Sequence, residues 1–550
     1  MHALLVVALL SGASPGRFGK ISFPVTGSKE CQKHFTQGML ALHSFFYEQA
    51  HESFQLASQA DPSCAMAFWG NAMAYSHPIW GEEELEAARE ALGKIRPEQR
   101  LTPKERGYID AARTLFGAGD RAERHRGWLE ATSRMAQEFG KDAEVELQHA
   151  LALIVNSDHF LNTARLMEAA AKAFDVLQRN PEHPGAAHYA IHACDSPDHA
   201  VLALPAARQY AKIAPAASHA LHMPSHIFVQ LGMWPQVALS NEASWAASQA
   251  RADRKKLSLE ERDYHSYIWL AAAYFEMGQI RKAERMIVDL AEWIAQEDGP
   301  EKRFAYLNLA QLDLTDGQRW DQTEALLAPI SRPLPLEPGE APGSLGCALH
   351  APGAGGKARP PIGLISRLRE KTTRAEAAAR KGDEATVRQQ SEEAQKIREA
   401  MRPWLKMFPR NMQASQALRQ TALLASARAR RAKTAQTWAE AIEALRKLAD
   451  LEDSEASAGP AFEAPARQQL AELELEAGKP ELALDDFDRT LDKHPMLSRA
   501  LLGAARAAKA SGKGAIARER YATLANLWKN ADSGLAELAE VRGGAAIAAR

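Results

Sequence analysis

Two pairs of histidines set 34 residues apart constrain this chain more than any other feature. His188 and His192 are four residues apart, as are His222 and His226, and the second pair follows the first by 34. Residues four apart stand above one another on one helix face. Thirty-four residues is the length of a helix–turn–helix repeat whose units stack and bury their apolar faces on each other. The same pair at the same place in consecutive units therefore brings four imidazoles to one wall. The stretch 181–234 holds seven of the eighteen histidines: His183, His188, His192, His199, His219, His222 and His226.

The tetratricopeptide pattern asks for small residues at positions 8 and 20, a large residue at 24 and proline at 32. Counting from Cys31 puts Gly38, Ala50, Phe54 and Pro62 there. From Pro184, Ala203 and Pro215 take positions 20 and 32; from Ser218, Gly232 and Val237 take 15 and 20. A third repeat opens at Tyr264, with Gly278 and Ala283 in step. Two more close the chain, on Gly478, Ala483, Phe487 and Pro495, then Gly512, Ala517 and Tyr521. With runs of alternating β-branched residues scarce, the expectation is an all-α, tetratricopeptide-like α-solenoid of helical hairpins. Pro224 departs from the pattern, because it falls inside the first helix of its repeat, where proline breaks the ladder. That helix is then expected to begin near Pro224, leaving His219 and His222 in the approach.

At 550 residues the chain exceeds what one compact core organises, which a repeat array tolerates. Sixty-seven basic against 69 acidic residues argue against a nucleic-acid partner or an anionic membrane surface. The expected organisation is a signal-like segment at 1–22, an N-terminal array with a histidine-lined groove at 30–330, a loop at 331–362 and a C-terminal array at 363–550. The loop carries thirteen Pro or Gly in the twenty-nine residues 333–361, together with Cys347 and His350. The start, MHALLVVALLSGASPG, has a short apolar run followed by small residues but no basic n-region. It reads as a secretory signal of a periplasmic or secreted protein, or as an ordinary start of a cytoplasmic one. No stretch is long enough to be transmembrane. Cys31 and Cys64 fall at the two ends of one predicted hairpin, which leaves a disulfide or two buried small residues open.

The segments HFTQGMLALHSFFYEQAHESFQLASQADPSCAMAFWG, HPGAAHYAIHA, HALHMPSHIFVQLGMW and GSLGCALHAPG resemble a bacterial family of long, often exported tetratricopeptide repeat proteins. The resemblance spans roughly residues 30–370 and implies the repeat fold without implying a reaction. In such domains positions 2, 5, 9, 12 and 13 of the first helix line the concave groove. Carried over, that places His188, His192, His219, His222, His226 and His265 in it.

Two functions fit. The first is a scaffold that binds a protein or peptide partner in the groove, with Tyr189, Phe228 and Trp234 near the histidines. The second is a transition-metal site, for zinc, copper or iron, on His188, His192, His219, His222 and His226, with a metal-dependent enzyme as its furthest extension. Asp195, three residues after His192, can supply a carboxylate ligand or orient a ring. His265, Cys347 and His350 complete the groove candidates. His183 and His199, beside loops and prolines, read as structural. No nucleophile elbow, dinucleotide fingerprint or phosphate loop is present, and His51–Glu52 lacks the second histidine of a zincin, so no catalytic residue is assigned.

Overall fold

A computed structural model describes residues 17–331 (except 80 and 159), 362–402, 410–454 and 459–546. The chain is all-α and built of tetratricopeptide-like hairpins. Its one pair of strands among the described residues is a two-residue ribbon, Ser76–His77 against Glu82–Glu83, where Pro78 interrupts the helical pattern. No helix among the described residues is long and apolar enough to cross a membrane. By internal contacts the chain forms two compact units. The described part of the first comprises 17–227 and 243–248; the second takes 228–242, 249–331 and the described residues from 362 onward. The expected segments 1–22 and 331–362 lie almost wholly outside the described residues.

In the first unit, helices Lys29–His43 and Tyr47–Ala60 form the opening hairpin, and Ala65–Met73 packs on it. The repeat pattern has a steric cause here. Phe54 lies against Gly38 on one side and Gly70 on the other, and a Cβ added at Gly38 would meet its ring at 2.6 Å. Phe35, Ala50, Phe54 and Ala57 are wholly buried around that crossing. Cys31 and Cys64 are joined as a disulfide across the ends of the hairpin.

Local signals start several of these helices. The Ser28 hydroxyl accepts the Cys31 N–H. Thr102 and Asp120 each form a reciprocal capping box, with Glu105 and Glu123, satisfying N–H groups that have no partner within the helix. Asp142 caps Ala143–Val155, and Asn162 caps Thr163–Arg179. Helix Pro184–Ala193 follows with proline at its first position, where the missing N–H costs nothing.

The second unit repeats the packing logic: Phe487 lies against Gly503 of the following helix as Phe54 does against Gly70. Helix Tyr264–Glu276 is buried along nearly its whole length. At its end the Glu276 carboxylate accepts the Ser498 N–H at 2.6 Å, and the Glu276 carbonyl accepts the Trp528 indole N–H at 3.0 Å. The closing repeats thus bond back to the helix of the third.

Burial, and then the nearby Asp316, push the Glu276 carboxyl up to about 8; burial and Asp316 likewise raise Asp313 to about 7. A carboxyl that holds its proton more tightly when folded stabilises the fold at low pH. That contribution fades as pH rises from the ordinary carboxyl range through the raised value. The second unit should therefore lose stability between about pH 5 and 8. In urea unfolding followed across that range, Glu276→Gln should flatten the decline, by on the order of a few kcal/mol at pH 8.

Candidate metal centre

The histidine cluster lies in the first unit. Helix Pro184–Ala193 carries His188 and His192 on one face, with their Nε2 atoms 3.0 Å apart. The next repeat does not begin with one continuous helix. Pro224 cannot continue the ladder, so Ser218–His222 forms a short turn of helix and Pro224 starts a second. His219 and His222 thus sit in a helical turn of their own, not in the expected approach loop. From that turn His219 reaches back, its Nε2 3.1 Å from that of His188. His222 and His226 face each other across the proline break, Nε2 to Nε2 at 3.1 Å. The two groups adjoin, with ring centroids 6.1 Å apart for His192 and His226, and 6.2 Å for His219 and His222.

Outer contacts set the tautomers. The Nδ1–H of His188 donates to the backbone carbonyl of His43 at 2.7 Å. The Nδ1–H of His226 donates to the Asp195 carboxylate, also at 2.7 Å. Each neutral ring then presents an Nε2 lone pair to the cluster, the arrangement that orients metal-bound imidazoles. Burial holds His188 down to about 3, helped by the positive charge neighbouring imidazoles carry when protonated; burial also lowers His219 well below the usual range. Both rings are therefore neutral near pH 7, the form that binds metal. The single in-plane lone pair of His188 Nε2 faces two other imidazole nitrogens within hydrogen-bond reach. It can accept from only one of them, whereas a cation at the centre would engage all three.

The cluster is walled by aromatic rings. Phe45 stands edge-on to His188, centroids 4.4 Å apart, and stacks on His192 and His219 at 5.8 Å each. Its backbone has φ of 50°, a region that bulky residues occupy at a cost and that clusters at functional sites. Tyr210 stacks on His188 at 5.2 Å.

A second buried group supports the first. His43 and His183 donate from Nε2 to the two oxygens of Glu144, at 2.8 and 3.2 Å. Burial alone would raise the Glu144 carboxyl; the charge of His43 and hydrogen bonds from both rings override it and hold the group at about 2. His183 also caps its helix, accepting the Ala186 N–H at Nδ1. Gly185 is required beside it, since any Cβ there would run into the His43 ring. His43 and Glu144 carry no signal in the sequence, standing 145 and 44 residues before His188 with no shared motif.

His265 belongs to the second unit, where it packs on Trp269 at 5.3 Å. Cys347 and His350 lie outside the described residues. His199 bonds its neighbour Ser196 at 3.0 Å. Cys194, next to Asp195, is buried with its thiol pushed up to about 12, so it stays protonated and the cluster is nitrogen-only. His188, His192, His222 and His226 are at most 2 % exposed, and His219 is half-buried.

Removing Glu144 would leave two histidines buried without their shared acceptor. Glu144→Ala should lower unfolding free energy by about 3–5 kcal/mol in urea denaturation.

No family model and no curated protein matches this chain. Among solved structures it is similar to yeast Tom70, at 12 % identity and a TM-score of 0.33, covering 92 % of each chain. It is also similar to the APC/C hetero-tetramer Cut9–Hcn1, at 12 % identity and TM-score 0.33 over 87 % of this chain and 76 % of that one. The human IFIT1 dimer with PPP-AAAA gives 12 % and 0.32 over 91 % of each. Likenesses this distant carry no argument about function.

Proposed function

We propose that the first unit is a histidine-ligated transition-metal centre carried on a helical repeat. His188, His192 and His219 are the ligands, with His222 and His226 extending the set. The observation that carries this reading is the convergence of the His192 and His219 Nε2 atoms on that of His188 at 3.0 and 3.1 Å, with the outward nitrogen of His188 bound by the His43 carbonyl and that of the adjoining His226 by Asp195. At a metal–nitrogen length of about 2.05 Å, that spacing subtends about 95°, between octahedral and tetrahedral angles. Three nitrogens on one side of an ion leave a further position for water or substrate, the requirement for Lewis-acid or hydrolytic chemistry. Imidazole-only ligation suits zinc, copper or iron. The pairing of Cys31 with Cys64 supports an exported protein in an oxidising compartment.

Binding of a protein or peptide partner is the broader reading, and the repeat fold supports it. Burial of His188, His192, His222 and His226 favours other surfaces of the repeats for such recognition.

Untagged protein purified without chelator should contain about one transition metal per chain, measured by elemental analysis. His192→Ala should abolish it with helicity unchanged, and Asp195→Asn should weaken affinity about 10–100-fold. Cobalt(II) should give a nitrogen-ligated spectrum without a thiolate charge-transfer band. Metal-free protein whose melting temperature does not rise with zinc, copper or iron would sink the proposal.

A further inference from the structure

The first unit also contains a cavity with largely apolar walls. Its polar lining is unusual. Trp69, Ser76, Tyr108 and Trp128 all line it, and each is at most 2 % exposed. The indole N–H of Trp69, the indole N–H of Trp128, the Tyr108 hydroxyl and the Ser76 hydroxyl have no hydrogen-bond partner in the protein. The Gln148 side-chain oxygen on the same wall has none either. Buried polar groups are nearly always satisfied, and five orphans around one space are far more than chance leaves.

The unsatisfied atoms describe what would fit. Two indoles can only donate, and the hydroxyls of Tyr108 and Ser76 can donate as well. A ligand must therefore bring acceptor oxygens. No lysine or arginine is among the described lining residues, and the one carboxylate, Glu144, is already engaged. A charged ligand would be buried without a counter-ion, which is strongly unfavourable. The aromatic and aliphatic remainder of the wall requires an apolar body. We infer that this cavity is a binding site for a small neutral carbonyl compound with an apolar, ring-sized body, held by hydrogen bonds from Trp69, Trp128 and Tyr108.

The site stands independently of the metal reading. The two are neighbours through Phe45, which lines the cavity and stacks on His192 and His219. A molecule in the cavity thus has one aromatic ring between it and the three-histidine cluster.

Calorimetric titration of the whole protein with 2-acetonaphthone, naphthalene and 2-naphthoate tests this. It is run on chelator-treated and on zinc-treated samples, so that failure of the metal proposal leaves the result readable. The ketone should bind one per chain in both samples. Naphthalene, which lacks the acceptor, and naphthoate, which is charged, should each bind at least about tenfold more weakly. Tyr108→Phe and Trp69→Phe should each weaken ketone binding about tenfold, leave naphthalene unaffected and not lower the melting temperature. No heat from the ketone, or equal affinity for naphthalene, overturns the proposal. So does a Tyr108→Phe protein that melts earlier yet binds the ketone unchanged, because the hydroxyl then serves a structural water.

Discussion

Phe54 pressed between Gly38 and Gly70 is the contact on which the first unit depends. It sets how closely the opening helices approach, and so where helix Lys29–His43 ends. That end delivers three things to the histidines: the His43 carbonyl that holds His188, the His43 ring that meets Glu144, and the Phe45 ring that covers the cluster. A larger residue at either glycine would push the helices apart. The cluster would then lose its outer support from a distance.

The centre is built from pieces that are individually costly. Five closely grouped imidazoles, two of them held neutral by burial, a phenylalanine at positive φ and a carboxylate wholly enclosed by two histidines do not stabilise a helical repeat. Hydrophobic side chains of similar size would pack there at less expense. Such concentrations are expected where a site has to be held ready for a ligand. The adjoining cavity, with its unpartnered indoles and hydroxyls, has the same character. The second unit contrasts with it: its raised carboxyls at Glu276 and Asp313 sit within helix-to-helix contacts, remote in kind from any convergent donor set.

The 34-residue spacing and the placement of small and aromatic residues made the all-helical repeat legible, because hairpin packing depends on side-chain size at fixed positions. The i, i+4 histidine pairs were legible for the same reason, since they share a helix face by local geometry alone. Pro224 announced the break between Ser218–His222 and the helix after it. What local geometry could not supply was the direction in which the rings point across repeats, nor that His219 would turn toward His188.

The chain alone therefore determined its repeat architecture and that several imidazoles would lie close together, both consequences of short-range periodicity. Tertiary packing decided the rest. It buried those rings, bound their outer nitrogens to His43 and Asp195, and joined His43 and His183 through Glu144. It also left five polar atoms unmet around one apolar space. Each of these joins residues tens to more than a hundred positions apart. Such partnerships depend on how hairpins stack, and no local pattern in the sequence encodes them.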